Sequence, residues 1–183
     1  MAHIIFLHGP SSSGKSTLAK AIQARIEKPF WHISIDHLRD SGVLPRERFQ
    51  RGDFDWKENR STFFDGFHAS LAAYAGAGND LIVEHILDQP EWLDDLRILF
   101  APHNVLFVGL HCPLDILQER EKARGDRPLG SAAQDFHTVH KGRHYDLDIH
   151  SREDTGKAVE RVLARWRSAE RCSDFTRPSF TPL

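Results

Sequence analysis

Apolar residues in this chain gather in short unbroken runs, separated by longer stretches where they recur every three or four positions. The first pattern reads as buried strand and the second as amphipathic helix. His3 to Leu7 gives a first strand, and Leu18, Ile22 and Ile26 mark a helix that Pro29 stops. Trp31 to Ile35 gives a second strand ending at Asp36, and Phe63, Phe67 and Leu71 mark a helix ending near Gly76 and Gly78. A third strand, Leu81-Ile82-Val83, precedes Glu84 within Asp80 to Leu87, and Pro90 to Leu99 suggests a short helix. Asn104 to Leu110 is a fourth strand. Pro113 opens a helix running towards Arg124, a place where proline is tolerated. A short helix covers Ala132 to His140, and Tyr145 to Ile149 alternates as a fifth strand. Val159, Val162, Leu163 and Trp166 mark a last helix. The polar stretch from Ser41 to Arg60 has no clear period, and neither has the tail from Cys172 to Leu183, which reads as a surface-wrapping or frayed end. Strands alternating with helices predict an α/β domain.

The 183 residues fit one domain, expected over 1–170 with an irregular tail at 171–183. At 40% hydrophobic and 27% charged residues, the chain can bury a core without disulfides or a structural metal. Lys and Arg number 24 against 26 Asp and Glu, which argues against a broad basic surface for nucleic acid but leaves room for a local cationic site. Cys112 and Cys172 form no CxxC pair, so a disulfide scaffold and a cysteine zinc site lose support. The start of the chain lacks a basic leader, and no run approaches the ~20 apolar residues of a membrane helix, so a cytoplasmic protein is expected.

The chemistry concentrates in Gly9-Pro10-Ser11-Ser12-Ser13-Gly14-Lys15-Ser16, followed by Thr17. This fits GxxxxGK[ST] between a predicted strand and a predicted helix, the context a phosphate-binding loop requires. Glycines let the backbone approach a phosphate chain, and N–H groups at the helix start favour the anion. Lys15 is placed to reach the β- and γ-phosphates, and the Ser16 hydroxyl to ligate Mg²⁺. NKxD and DxxG motifs are absent, which lowers a GTPase switch reading.

Asp36 follows Ile33-Ser34-Ile35 at a strand's carboxyl end, where open α/β sheets bind ligands. It can orient an acceptor hydroxyl and take its proton, or cap the helix starting at His37. Glu84 ends the third strand and can hold the metal through a water or touch substrate. Arg120 and Arg124 share a helix face, and Arg127 follows in a basic Gly/Pro segment. Together they suit a lid, around 120–133, that closes over a triphosphate. His137, His140, His144 and His150 lack metal-ligand spacing and read as surface or core residues, whereas His8 and His85 adjoin strand ends and could line a substrate pocket.

These pieces resemble the chloramphenicol phosphotransferase family of P-loop kinases from His3 to about Ile149. The matching segments are the GPSSSGKST loop, Ile35-Asp36-His37-Leu38, the Leu81 to Glu84 strand end and Phe107 to Cys112. Further along come Ala123-Arg124-Gly125-Asp126-Arg127, Val139-His140-Lys141-Gly142 and Tyr145-Asp146. The resemblance implies a three-layer fold with a five-stranded parallel sheet in order 2-3-1-4-5 and helices on both faces. It also implies ATP-dependent γ-phosphoryl transfer to a hydroxyl, with Asp36 as base and Arg124 and Arg127 in the lid. Two departures stand out: Glu84 where an aspartate is expected, and a strongly charged Gly42 to Arg60 stretch. The expected activity is a small-molecule O-phosphotransferase using MgATP, acting on chloramphenicol, another antibiotic or a different alcohol. The rivals are a polynucleotide or toxin-type kinase and a nucleotide-binding regulatory protein without transfer chemistry.

Overall fold

The computed structural model describes residues 1–124 and 130–176, apart from the side chains of Arg124 and Ser131. Five parallel strands form one sheet in the order β2-β3-β1-β4-β5, the order the family resemblance implied. They are β1 (His3–His8), β2 (Phe30–Ser34), β3 (Asp80–His85), β4 (Asn104–His111) and β5 (Leu147–His150). The central three are buried along nearly their whole length, and so their sequences run apolar without alternation.

The pleat sends alternate residues to two separate cores. Ile4, Phe6, Leu81, Val83 and Phe107 face α4 (Trp56–Gly76) and α5 (Trp92–Phe100). Ile5, Leu7, Ile82, Leu106 and Val108 face α1 (Lys15–Gln23) and α8 (Thr155–Arg167). This gives three layers, with register matched across the middle: Phe6 lies beside Val83 on one flank and Phe107 on the other. Among the described residues, α6 (Leu114–Arg124) and α7 (Ser131–Thr138) add a small satellite core of Cys112, Leu117 and Ala132. Glu121 ties those two helices, its carboxylate accepting from the backbone N–H of Gly130 at 2.9 Å and Ala132 at 2.8 Å.

Several boundaries differ from the sequence expectation. The second strand stops at Ser34, because Ser34 and His37 form a reciprocal capping box that turns the chain into α2 (Ile35–Asp40). The charged stretch holds α3 (Arg46–Gln50) and the start of α4, which Asp55 caps by accepting from the Lys57 N–H. Tyr145 lies ahead of β5 and packs flat against Gly109, where any Cβ would come within 2.7 Å of its ring. The chain after α8 is not frayed as far as it is described. Phe175 inserts among Phe6, Phe100 and Phe107, with ring centroids 5.2, 6.2 and 5.1 Å away. Asp146 anchors that return by accepting the N–H groups of Cys172 and Ser173.

Candidate active site

Gly9 to Gly14 links β1 to α1 at the carboxyl edge of the sheet, and Lys15, Ser16 and Thr17 open the helix. Gly9 threads past β4 so closely that a Cβ would meet the Leu110 carbonyl at 2.5 Å. Ser12 and Gly14 take left-handed backbone angles, φ 64° and 100°, which curl the loop before α1 begins. The Lys15 ammonium donates to the carbonyls of Gly9 and Pro10, 2.8 Å each, so the loop holds its own cation. The Ser11 N–H donates to Asp135 on α7 at 3.0 Å.

Beside the loop, the Ser16 hydroxyl donates to Glu84 at 2.8 Å. The other Glu84 oxygen pairs with His32 Nε2 from β2. Glu84 is only 6% exposed, so it is not a solvated strand end. Burial acts to raise its carboxyl pKa, but hydrogen bonds from His32 and Ser16 and the nearby Lys15 charge outweigh that and hold it below the ordinary value. It is therefore a buried anion, and Ser16 and Glu84 form an oxygen-only pair that suits a hard cation. Edge-on to His32 lies His37, whose ring Nδ1 accepts from the Ser34 N–H at 3.3 Å. Desolvation and the neighbouring His32 depress the His37 pKa, which favours the neutral ring this acceptor role needs.

Asp36 is the second residue of α2 rather than the end of a strand or a cap; Ser34 is the cap. Arg39, one turn on, lies 3.1 Å from its carboxylate. Two cavities meet at this aspartate. The larger, about 550 Å³, is lined by Ser11 to Leu18 of the loop and the first turn of α1, by Glu84 and by Arg120. The smaller, about 330 Å³, is lined by Phe49, Trp56 and Phe63 together with Arg39 and Arg46. Ile35, Asp36, Arg60, Phe64 and Ile86 belong to both walls.

Arg120 reaches the loop, donating from Nη1 to the Ser12 carbonyl at 3.3 Å. Arg124 closes α6, and Arg127 lies outside the described residues. His85 lines the larger cavity and pairs with His68 at 2.9 Å; burial followed by the His68 charge keeps its pKa far below 6.5. His8 is wholly buried, bonded to Tyr145 and the Ile86 carbonyl, and lines neither cavity. His140 bonds the same Tyr145 hydroxyl at 2.7 Å, and burial with the His111 charge lowers it to about 4. Among the described residues, no group of three or more His, Cys, Asp or Glu is arranged to hold a metal.

Sequence reasoning missed Arg60, Trp56, Phe64 and His32. Arg60 and Trp56 sit in the charged stretch without period, and His32 is an ordinary-looking strand residue. The one available signal was the one-turn recurrence of Trp56, Arg60 and Phe64, which places all three on one face of α4.

The fold recurs in known kinases. An APS kinase from Mycobacterium tuberculosis superposes with a TM-score of 0.65 at 18% identity, covering 91% of this chain and 98% of that one. A gluconokinase from Sinorhizobium meliloti gives 0.61 at 19% identity, covering 91% and 92%. In sequence, a Mycobacterium tuberculosis protein provisionally named an O-phosphotransferase is 27% identical over 185 residues, spanning 88% of this chain and 79% of the relative. Residues 2–167 match the model of the chloramphenicol phosphotransferase-like proteins. With nearly the whole chain matched, from the strand before the phosphate-binding loop to the end of α8, this protein belongs to the chloramphenicol phosphotransferase-like family.

Proposed function

We propose that this protein transfers the γ-phosphoryl group of ATP to a hydroxyl of a small molecule. Family and fold support a P-loop kinase-type phosphotransferase. The observation that carries the finer reading is the position of Asp36 in the wall shared by the loop-lined cavity and the aromatic one. A phosphate donor in the first and an alcohol in the second would meet beside its carboxylate. The smaller volume, about 330 Å³, suits a compact ligand, and chloramphenicol is one alcohol to test.

Each residue then has a role. The Gly9 to Thr17 backbone and the α1 N-terminus bind the donor phosphates, with Lys15 turning from its own loop carbonyls to the β- and γ-phosphates. Ser16 and Glu84 would hold Mg²⁺, directly or through water, and that ion neutralises charge on the β- and γ-oxygens when bound. Asp36 orients the acceptor and receives its proton. The hydroxyl oxygen bonds to the γ-phosphorus while the bond to the β,γ-bridging oxygen breaks, leaving ADP. Arg120, with Arg124 and Arg127, neutralises the phosphoryl in flight.

The test is ADP release from MgATP over a panel of hydroxyl compounds, with Asp36→Asn as control. Loss of the base should lower kcat about 10²–10⁴-fold while ATP affinity holds. Undiminished turnover in the variant would overturn the role of Asp36.

A further inference from the structure

The smaller cavity has an aromatic base of Phe49, Trp56 and Phe63, and its charged wall residues are Arg39, Arg46, Arg60 and Asp36. Three arginines thus line a space with a single carboxylate, that of Asp36. Of the carboxylates that pair with these arginines, Asp36 holds Arg39 at 3.1 Å, and the other two, Asp40 and Asp88, lie outside that wall. Asp40 is shared, accepting from Arg39 at 2.9 Å and Arg46 at 3.0 Å. Asp88 accepts from Arg60 at 2.9 and 2.7 Å, both through Nη2.

Arg60 is held in place by more than its charge. Its guanidinium carbon sits 4.8 Å from the ring centres of both Phe64 and Trp92. With Nη2 on Asp88 and two rings beside it, the plane is fixed before any ligand arrives. Arg46 projects from α3 and gives only Nη1 to Asp40. The side chain of Asp40 is 49% exposed and that of Asp88 39%, and ion pairs this open to water contribute little, so exchanging or sharing them costs little. A neutral ligand filling the cavity would strip water from these donors and return nothing, whereas an oxyanion would pair with them.

On the reading that this cavity takes the acceptor, we propose that the acceptor is an anionic alcohol. Its flat apolar body lies on Trp56 and Phe63, its hydroxyl meets Asp36, and its carboxylate or similar oxyanion meets Arg46 and Arg60. The experiment compares 4-(hydroxymethyl)benzoate with its methyl ester, which keeps the ring and hydroxyl but loses the charge. Binding to the full chain is followed by tryptophan fluorescence, and transfer by ADP release from MgATP in the same samples.

The acid should bind at least about tenfold more tightly than the ester, as a charge-assisted hydrogen-bond pair predicts. Arg46→Ala and Arg60→Gln should each erase most of that preference while changing ester binding less than about twofold. Arg46 lies on an exposed helix with no buried residue, so its variant keeps the test valid should Arg60→Gln misfold. Equal or tighter ester binding, absent saturation by the acid, or a preference that survives both variants would overturn the inference. The two readings fail separately. Phosphorylation of the ester or of chloramphenicol in preference to the acid removes the anionic acceptor and leaves the kinase. Tight acid binding without transfer to either probe leaves the anion site and removes the transfer reading.

Discussion

The two cavities are built on different principles. On the proposed donor side the recognising groups belong to a backbone loop that leaves β1 and packs against β4, and Ser11, Ser13 and Lys15 are all buried. On the proposed acceptor side they are side chains from α2 and α3, neither of which has a buried residue, and from α4. A triphosphate looks alike to every kinase that uses it, so rigid amides in a fixed curl serve well. An alcohol is read by shape and charge, which side chains on lightly packed helices can vary without disturbing the sheet. The donor half should therefore lose chemistry when touched, and the acceptor half should mostly lose selectivity.

The largest effect that separates the halves is expected from Lys15→Ala. Removing a buried cation proposed to turn to the transferring phosphoryl should cost about 10³-fold in kcat, as loss of a strong electrostatic donor does elsewhere. Acceptor binding, followed by fluorescence, should stay within about twofold, because Lys15 lines only the larger cavity. A parallel loss of acceptor binding would break the division. Next in size is Gly9→Ala. The added methyl would meet the Leu110 carbonyl at 2.5 Å and Leu110 Cβ at 3.2 Å, so β1 and β4 must part. Overpacking of this kind costs about 1–3 kcal/mol, read from the urea midpoint, and should weaken ATP binding with it.

This contrast also explains what could be read from the sequence. The donor site is local: eight consecutive residues, one strand before and one helix after, all carried by period and motif. The strands were legible because parallel strands covered on both faces must be apolar throughout. Asp36 was visible as a carboxylate following an apolar run, although its place in α2 was not, since the capping box uses His37 where Glu or Gln is usual. The proposed acceptor site is lined by side chains from residues 35–64 and by Ile86, and nothing local ties Phe49 to Ile86. Phe175 was hidden for the same reason: it sits in an aperiodic tail and is partly buried by partners some 70 to 170 positions away.

Acid should weaken both halves together, which asks whether the division extends to the polar interior. His8 and His140 flank Tyr145 near the loop, and His85 pairs with His68 near the acceptor. Burial keeps all of these rings below the ordinary histidine pKa of 6.5, His140 at about 4. Between those values the unfolded chain takes up protons that the folded chain refuses. Their stabilisation is thus complete above pH 6.5 and is lost as pH falls towards 4. A drop in Tm of about 5 °C or more from pH 7.5 to 5.0 is expected by calorimetry, and a flat profile would contradict it. A smaller effect follows from Trp56→Ala, which should raise the acceptor KM about tenfold, the scale of one lost apolar pocket contact, and leave the ATP KM unchanged.

The smallest effect is a gain. Gly66 lies inside α4 on the acceptor side, and a Cβ there would meet nothing within 4 Å. A glycine in a helix interior costs about 0.5–1 kcal/mol relative to alanine, chiefly because the unfolded chain has more states to lose. Gly66→Ala should therefore stabilise the fold by that amount, seen as a higher urea midpoint at constant slope. Paired with Gly9→Ala, the same chemical change has opposite signs in the two halves. In the loop the methyl collides with a strand that must shift to admit it, and on the helix it enters open space. Should Gly66→Ala destabilise instead, α4 would be packed as tightly as the donor loop, and the acceptor side would lose the freedom that lets its side chains define a substrate.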